Sequence, residues 1–312
     1  MKKSALFALL FVFCFSGQAI AADATLHISY VKSPFNLQMI VMKEHRLLEK
    51  ELEPLGVTVN WPEITSGAKQ AQALASGDLD VAGVMNSTSL LMAAGEGVPI
   101  KVIAGVARPT DVFAVVGRKG GPADIKGLKG KVVAGPKGTA LHQLLVAALL
   151  KNGMSISDVN FAQMDIPQAF AALQGGKVDA ALLAANMIIK AEAEGAVTLA
   201  TATGYIVPKL GMMASTSFIE KHPDRLKAVI TAHDKAWQWI VANHDEAVAL
   251  GAKVQGIGQD DAEKLFAWSH FTQRFTQADL ESMKDDMQFL MDNGMMRNSV
   301  DVATLVIPGA IE

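Results

Sequence analysis

Cysteine is almost absent from this chain. The 312 residues contain one, Cys14, and it lies in an apolar N-terminal segment that we expect to be removed. Without further cysteine, the remaining chain forms no disulfide, offers no thiolate nucleophile and provides no cysteine ligand for a metal ion. Its stability must therefore come from an apolar core. At this length a chain buries most of its surface and divides into about two domains.

Neither charge nor hydrophobicity is concentrated in the way that indicates nucleic-acid binding or membrane crossing. The formal net charge is −3, which argues against nucleic acid as a partner. After the N-terminal segment, no uncharged apolar run approaches the roughly 18 residues of a membrane-spanning helix. The 7 histidines show no His-Glu-x-x-His or comparable pair, and no Gly-x-Ser-x-Gly turn occurs. The sequence thus predicts no metal site, no serine nucleophile and no cofactor.

Residues 1–22 have the pattern of a secretory signal peptide. Lysines at positions 2 and 3 precede an uncharged apolar run over residues 5–15, and residues 19–21 (A-I-A) form a small-x-small cleavage pattern. The apolar run is shorter than the roughly 20 residues that a spanning helix needs. We expect cleavage near Ala21-Ala22 and export of the mature chain to the periplasm.

Strand-like and helix-like segments alternate along the rest of the chain. Leu26–Val31 alternates with the period of a strand, and Phe35–Glu49 carries apolar residues at helical spacing. The alternation continues through Val57–Trp61, Ala68–Ser76, Val81–Val84 and Ser87–Ala94. Strands that alternate with helices of this length predict an α/β fold whose parallel strands are covered on both faces.

The most informative pattern is an internal repeat. Leu74–Ala82 (L-A-S-G-D-L-D-V-A) aligns with Leu173–Ala181 (L-Q-G-G-K-V-D-A-A). In each copy a helix ends at glycine, the residue that best tolerates a left-handed cap, and a turn aspartate precedes a buried strand. Each copy then leads to an asparagine, Asn86 or Asn186, and a second helix. The repeat predicts two lobes of the same architecture.

Two further strand-like segments indicate where the chain crosses between the lobes. They are Phe113–Gly117 and Gly211–Thr216. If both are hinge strands, residues 23–112 and 211–312 form lobe 1, and residues 113–210 form lobe 2. Helical patterns over residues 222–243, 244–255, 260–266 and 277–293 predict a helical C-terminal region packed on lobe 1.

The loops after the predicted strands are the candidate binding positions, because ligands of open α/β sheets bind beyond the carboxyl ends of the strands. The candidate ligand-binding residues are Ser33, Phe35, Asn36, Ser66, Gly67, Asn86, Ser87, Arg108, Gly138, Thr139, Ala140 and Asn186. Arg108 follows a strand-like segment and either pairs with an anion across the cleft or holds a surface position.

Residues 136–142 (P-K-G-T-A-L-H) are the best candidate for anion recognition. They end a strand and open a helix, whose first N–H groups lack intrahelical partners and carry the positive end of the helix dipole. Gly138 lets an anion approach the backbone, and Thr139 adds a hydroxyl. Alternatively, Thr139 is an ordinary helix N-cap without a ligand.

Four segments occur in a characteristic order: Leu74–Ala82, Asp124–Ala134, Lys137–Leu145 and Ala169–Ala181. Together they resemble the aliphatic-sulfonate, taurine and nitrate binding proteins of ABC importers, in the NMT1-like solute-binding superfamily. The resemblance implies a type II periplasmic-binding-protein fold with two α/β lobes, two hinge crossings and a small-molecule ligand between the lobes. It implies an ABC permease and ATPase complex in the inner membrane as partner, and we expect a monomer.

One stretch departs from that family's pattern. After the Val-Asp-Ala of the second repeat, sulfonate and taurine binders typically carry an aromatic-acidic run resembling Trp-Asp-Pro-Tyr. Here the stretch is Leu182–Ile188 (L-L-A-A-N-M-I). The pocket should be larger or more apolar on that side, and the ligand need not be a sulfonate. We expect a small, anionic organic solute such as a sulfonate or carboxylate, captured by hinge closure.

The resemblance leaves two other functions open. A periplasmic ligand-sensing protein that reports to a membrane receptor would have the same sequence features as an importer component. The superfamily also contains pyrimidine-precursor synthases, enzymes that use histidine and cysteine-rich motifs. The missing cysteines and the export signal count against an enzyme.

Overall fold

The structure, a computed structural model, describes residues 24–33 and 35–312. The predicted signal peptide, residues 1–22, lies outside these residues. The strands are β1 (Ala24–His27), β2 (Val57–Asn60), β3 (Val81–Asn86), β4 (Ile100–Ala107), β5 (Phe113–Gly117), β6 (Val132–Gly135), β7 (Asn160–Gln163), β8 (Ala180–Ala184), β9 (Val197–Thr201) and β10 (Leu210–Ser215). The helices are α1 (Leu37–Glu44), α2 (Leu47–Leu52), α3 (Gly67–Ser76), α4 (Ser87–Gly95), α5 (Ala140–Lys151), α6 (Ile166–Gln174), α7 (Asn186–Ala193), α8 (Thr216–Lys221), α9 (Pro223–Ala242), α10 (His244–Gln255), α11 (Gln259–Ser269) and α12 (Gln277–Asp292). None of the described helices is both long enough and apolar enough to cross a membrane.

The strands form two sheet systems. β1 and β2 pair in parallel, and a bridge between Ile28 and Val81 joins this pair to the three-stranded sheet β3-β10-β4. The second system is a five-stranded sheet in the order β7-β6-β8-β5-β9. The core strands are buried along their length, as in β8, because helices cover both faces of the sheets.

The chain crosses from the first system to the second between β4 and β5, and it returns between β9 and β10. β5 runs antiparallel to β8 and β9, and β10 runs antiparallel to β3 and β4. The parallel pairing predicted for the alternating segments therefore does not extend to β5 and β10, which the sequence indicated as hinge strands. Each of these two strands starts at the edge of its sheet where the neighbouring strands end, and it therefore runs antiparallel to them.

The two copies of the internal repeat end their first helices in the same way. After α3, Gly77 adopts a φ of 82°, and after α6, Gly176 adopts a φ of 63°. Both values lie in the left-handed region that favours glycine. The second helices begin differently, since Asn86 caps α4 from outside whereas Asn186 is the first residue of α7.

The turn aspartate has the same role in both copies. The carboxylate of Asp80 accepts the N–H of His27 at 2.8 Å, and the N–H of Asp80 donates to the carbonyl of His27 at 2.9 Å. Asp179 and Val132 form the same reciprocal pair at 3.1 Å and 2.9 Å. Each aspartate thus joins the start of its own strand to the neighbouring parallel strand. The repeat in the sequence corresponds to a repeat in hydrogen bonding.

The C-terminal helices pack mainly on the first sheet system. α9 packs on α1 and α2, α10 packs on α1, and α12 packs on α4. α11 packs on α10 and also contacts α7, which belongs to the second system. The predicted packing on lobe 1 therefore describes α9, α10 and α12, while α11 touches both halves.

The segment predicted as one helix over Phe35–Glu49 forms two helices. Arg46 lies between α1 and α2 with a φ of 54°. A residue in the left-handed region cannot continue a right-handed helix, so the chain changes direction there. The predicted strand Leu26–Val31 likewise continues beyond β1 only as isolated bridges at Ile28 and Tyr30.

Candidate functional site

A cavity of about 60 Å³ lies between the two sheet systems, beside the first residues of β5 and β10. We call it the cleft cavity. Its wall consists of Val31, Ser33, Thr65, Ser66, Gly67, Val84, Asn86, Phe113, Pro136, Thr139, Ala140, Leu141, Asp165, Ile166 and Leu210. One water molecule needs roughly 10–15 Å³ of such space, so the cleft cavity accommodates a compact group of a few heavy atoms.

The predicted ligand-binding residues divide into two sets. Those in the wall of the cleft cavity are Ser33, Ser66, Gly67, Asn86, Thr139 and Ala140. Those outside it are Phe35, Asn36, Ser87, Arg108, Gly138 and Asn186. The first set comes from both sheet systems, so a ligand in the cavity would contact both.

The start of α3 forms one side of the cleft cavity. The hydroxyl of Ser66 accepts the N–H of Lys69 at 3.5 Å and so caps the helix loosely. Gly67 is the first residue of α3, and a side chain there would lie 2.6 Å from the hydroxyl of Ser89 on α4. Glycine is therefore required where α3 approaches α4, and it leaves the backbone open to the cavity.

Asn86 presents hydrogen-bond donors to the cleft cavity. Its Oδ1 accepts the N–H of Ser89 at 2.9 Å, which caps α4. This bond fixes the orientation of the amide, because Oδ1 is the acceptor and Nδ2 must point the other way. Within residues 24–33 and 35–312, no acceptor is bound to that Nδ2. The side chain can thus donate to an anion while its oxygen holds the helix.

The start of α5 forms the facing side. Thr139 occupies the N-cap position with an extended backbone, but its hydroxyl donates to the carbonyl of Pro136 at 2.9 Å. Its side chain accepts no hydrogen bond from the first turn of α5. The N–H groups of that turn carry the positive end of the helix dipole. The alternative of an ordinary N-cap does not describe this threonine.

Gly138 shapes the loop before α5 without lining the cavity. Its φ of 73° lies in the left-handed region. Its carbonyl accepts the hydroxyl of Ser89 at 2.9 Å. This buried hydrogen bond joins α4 in the first sheet system to the loop before α5 in the second.

Charge is nearly absent from the wall of the cleft cavity. Among the described residues that form the wall, Asp165 is the only charged one, and none is a lysine or an arginine. The Asp165 carboxylate lies 2.6 Å from the ammonium of Lys69, which neutralises it. Asp165 also caps α6 through a capping box with Gln168. The positive potential in the cavity therefore comes from the starts of α3 and α5.

Buried contacts of Phe35 and Asn36 hold the β1–α1 loop in place. Phe35 is 1% exposed, and its ring fills the space beside Gly251 on α10. Asn36 is buried and donates to the carbonyl of Val31 at 2.7 Å. The hydroxyl of Ser33 donates to Gln255 at 3.3 Å. Phe35 and Asn36 hold the loop that presents Ser33, but their own side chains lie outside the cavity wall.

Arg108 is engaged by α12 and lies outside the cavity wall. Its Nε donates to Asp279 Oδ1 at 2.8 Å, and its guanidinium also donates to the carbonyl of Arg274 at 3.2 Å. The hydrogen bond to Asp279 raises the pKa of Arg108 further above its ordinary value. The suggested pairing of Arg108 with an anion across the cleft is not supported, because Asp279 already occupies the guanidinium.

Ser87 and Asn186 begin α4 and α7 and are both buried. The N–H of Ser87 donates to the carbonyl of Lys209 at 2.8 Å. Asn186 follows Ala185, whose φ of 49° and ψ of −121° are strained for a residue with a side chain. The Oδ1 of Asn186 has no hydrogen-bond partner in the described part of the chain. Neither residue contributes to the wall of the cleft cavity.

Sequence reasoning missed several wall residues. Asp165 follows β7, so the rule that selects loops at the carboxyl ends of strands would have found it if β7 had been recognised. Phe113 and Leu210 are the first residues of β5 and β10. They lie at the cavity because both strands start at the cleft, and a rule based on carboxyl ends cannot select them.

One group of side chains in the described residues has the proximity that a metal ion needs: His244, Asp245 and Glu263. His244 Nδ1 lies 3.1 Å from Asp245, and His244 Nε2 lies 3.6 Å from Glu263. A single ion cannot bind both nitrogens of one imidazole. The arrangement is that of a solvent-exposed ion-pair cluster remote from the cleft cavity.

The chain is similar to known periplasmic binding proteins in sequence and in fold. The taurine-binding periplasmic protein of Escherichia coli (strain K12) is 31% identical over 256 residues, which are 77% of this chain and 79% of that protein. The alkanesulfonate-binding protein SsuA from Xanthomonas axonopodis pv. citri, bound to MOPS, superposes with a TM-score of 0.80 at 22% identity. That match covers 92% of this chain and 99% of SsuA, and it confirms the predicted α/β periplasmic-binding-protein fold.

An enzyme has the same fold at a greater distance. The desulfurization enzyme DSZB superposes with a TM-score of 0.64 at 14% identity, over 91% of this chain and 96% of DSZB. This likeness concerns the fold alone.

The family described as NMT1/THI5 like matches residues 53–247. The chain belongs to the NMT1/THI5-like family, and its relative from E. coli is a periplasmic binding protein.

Proposed function

We propose that this chain is the periplasmic solute-binding component of an ABC importer and that it captures a small anionic organic solute, such as an aliphatic sulfonate, in the cleft cavity. The observation that carries the proposal is the pair of helix starts that face each other across this cavity. The starts of α3 and α5 supply backbone donors, and Ser66, Asn86 and Thr139 supply side-chain polar groups.

The composition of the wall suits a compact anionic head group. Backbone N–H groups at two helix starts can hold several anionic oxygens without a cationic side chain. The apolar wall residues Val31, Val84, Leu141, Ile166 and Leu210 can enclose a short alkyl group. A sulfonate has three oxygens and one carbon substituent, and the sulfonate and taurine binders among the relatives and structural neighbours support this class of ligand.

Capture would proceed by closure of two lobes. We place lobe 1 at residues 23–112 and 211–312 and lobe 2 at residues 113–210, with crossings at β5 and β10. A ligand in the cleft cavity would contact both lobes and would therefore favour the closed state over the open one. Closure requires this difference in affinity, since a ligand that binds both states equally shifts nothing.

The wall of the cleft cavity supports binding rather than catalysis. The described residues give it hydroxyl groups but no histidine or lysine that could act as a base. Its one carboxylate, that of Asp165, is held by Lys69. A nucleophile needs an adjacent base within hydrogen-bond reach, and the wall provides no such pair. A periplasmic sensor would use the same site, so uptake has to be measured in cells.

The substitution Asn86→Asp tests the site directly. Aspartate keeps the oxygen that caps α4 but replaces the Nδ2 donor with a second carboxylate oxygen. At about 4 Å in a protein environment, two like charges repel by about 4 kcal/mol, so we expect ethanesulfonate affinity to fall by at least about 100-fold. Isothermal titration calorimetry measures this affinity, and thermal unfolding checks that the fold is intact.

Thr58→Ala is the control, because Thr58 is an exposed threonine on β2 whose hydroxyl is hydrogen-bonded to that of Thr25. It should leave the affinity unchanged. Undiminished binding by the Asn86→Asp variant would overturn the site. Unchanged growth of a deletion strain on the sulfonate as sulfur source would overturn the importer role while leaving the binding site in place.

A further inference from the structure

The cleft cavity adjoins a second cavity of about 290 Å³ that we call the outer cavity. The two share Ser66, Pro136 and Asp165 in their walls. The rest of the outer wall consists of Ala68, Lys69, Gln72, Lys137, Gln163, Met164 and Gln168. Because the cleft cavity admits only a compact group, a longer ligand would extend past the shared residues into the outer cavity.

The outer cavity differs from the cleft cavity in charge. Its wall contains two lysines, Lys69 and Lys137, and one acidic residue, Asp165. Lys69 neutralises Asp165 at a distance of 2.6 Å. Lys137 is exposed and has no ion-pair partner among residues 24–33 and 35–312. The remaining charge of the outer cavity is therefore positive.

Neutral hydrogen-bond donors accompany these lysines. Gln168 accepts the N–H of Asp165 with its Oε1 at 3.3 Å, which directs its amide donors away from that contact. Gln72 and Gln163 are exposed members of the same wall. A carboxylate placed here would meet two ammonium groups and several amide donors.

The same arrangement disfavours a ligand ammonium group. Asp165 is the only carboxylate that the described part of the chain contributes to either wall, and Lys69 already binds it. An amino group at the end of the ligand would have to displace Lys69 and would lie near the charge of Lys137. A second anionic group would instead meet cations that are already present.

We propose that the outer cavity binds a second anionic group, so that the preferred ligands are short dianions with a sulfonate-type head and a carboxylate at the other end. The inference rests on the proposed function, since the head group occupies the cleft cavity. The outer cavity is the feature that separates this chain from a binder of simple alkanesulfonates or amino sulfonates. The cleft cavity selects ligands with a sulfonate-type head group. The outer cavity selects, among these ligands, the ones that carry a second anionic group.

Calorimetric titration with ethanesulfonate, taurine and 3-sulfopropanoate tests the inference. We expect 3-sulfopropanoate to bind more tightly than ethanesulfonate, and taurine to bind no more tightly than ethanesulfonate. The substitution Lys137→Gln should weaken 3-sulfopropanoate by roughly two- to fivefold, the range of a solvent-exposed ion pair, and leave ethanesulfonate unchanged. High salt should reduce the same advantage, because exposed charges are screened.

Lys177→Gln is the matched control, since Lys177 is an exposed lysine in the turn after α6, at the end of that helix opposite Asp165. It should change none of the three affinities. If ethanesulfonate binds as tightly as 3-sulfopropanoate, or if Lys137→Gln weakens both equally, the outer cavity does not select a second anion although the proposed function stands. If none of the three anions binds, both the proposed function and this inference are wrong.

Discussion

Among the polar contacts that connect the proposed lobes, two bridges differ strongly in their exposure to water. At the mouth of the cleft, Lys69 on α3 and Asp165 before α6 form an ion pair whose side chains are 60% and 38% exposed. At the second bridge, α4, α5 and α12 meet around a buried lysine, Lys209, which is 1% exposed.

The buried bridge is a chain of hydrogen bonds. Thr88 donates to Gln143 Oε1 at 2.5 Å, and Gln143 Nε2 donates to Asp286 Oδ1 at 2.8 Å. The ammonium of Lys209 lies 2.8 Å from Asp286 Oδ2 and donates to the carbonyl of Val207 at 2.9 Å. Each polar side chain in this series is thus hydrogen-bonded to the next one, as polar groups in a protein interior require.

The difference indicates which end of the cleft opens. An exposed ion pair contributes about 0–1 kcal/mol, so the mouth can separate at little cost. Breaking a buried pair by removing one partner costs about 3–5 kcal/mol. Lys209 directly precedes β10, the return crossing. We therefore expect the buried bridge to stay intact beside the hinge while the Lys69–Asp165 pair breaks on opening.

The largest expected effect comes from Lys209→Met. The change removes the buried ammonium of Lys209 and leaves the half-buried carboxylate of Asp286 without that partner, and we expect the free energy of unfolding to fall by about 3–5 kcal/mol. Urea denaturation followed by circular dichroism measures it. The double variant Lys209→Met with Asp286→Leu should recover much of the loss. A loss below about 1 kcal/mol for Lys209→Met would erase the distinction between the two bridges.

Acid should weaken the fold through two buried histidines. Burial lowers the pKa of His142, beside Gln143 on α5, and that of His233 on α9, each to about 4. Both are neutral in the fold, so stability is full above about pH 6.5 and falls as the pH drops towards 4, by up to about 1.4 kcal/mol per pH unit for each. Unfolding measured from pH 7 to 4.5 should show this slope. His142→Leu should remove about half of it, and an unaltered slope would exclude His142.

Gln143→Leu separates the hydrogen-bonded chain from the ion pair. It removes the partners of Thr88 and of one Asp286 oxygen but keeps Lys209, and we expect a loss of about 1–3 kcal/mol. Gln288→Leu is the control on α12, because Gln288 is exposed and its amide donates to the carboxylate of Asp292; the change in stability should stay within about 0.5 kcal/mol. Equal effects of the two changes would show that burial of the bridge does not matter.

The smallest expected effect is that of Lys69→Gln. Loss of the exposed pair with Asp165 should change the free energy of unfolding by less than about 1 kcal/mol. The change should shrink further at high salt, since the pair is open to solvent. Urea titrations at low and high salt check both statements. A large, salt-independent loss would mean that the mouth of the cleft is as firmly held as the hinge side.

The fold was predictable from the sequence where its cause is local. The repeat was visible because a helix end, a left-handed glycine and a turn aspartate occupy consecutive positions, and Gly77 and Asp80 have the roles that Gly176 and Asp179 have. The direction of β5 and β10 was not predictable in this way. It depends on the edge from which the chain enters each sheet, which no local pattern records.

The candidate site was predictable to a similar extent. Ser66, Gly67, Asn86 and Thr139 follow strands and line the cleft cavity, as the loop rule expects. Arg108 was selected by the same rule, yet it is bound by Asp279, which is 171 residues away in the sequence. A partner at that separation removes a side chain from the site without leaving a signal near it.

The position of β10 has a consequence for the order in which the chain folds. β10 lies between β3 and β4, so these two strands lack the strand that joins them until the chain has emerged as far as residue 215. The five-stranded sheet is complete once β9 ends at Thr201. The five-stranded half can thus assemble as a unit, whereas we expect the sheet of β3, β10 and β4 to be completed later, when its central strand is present.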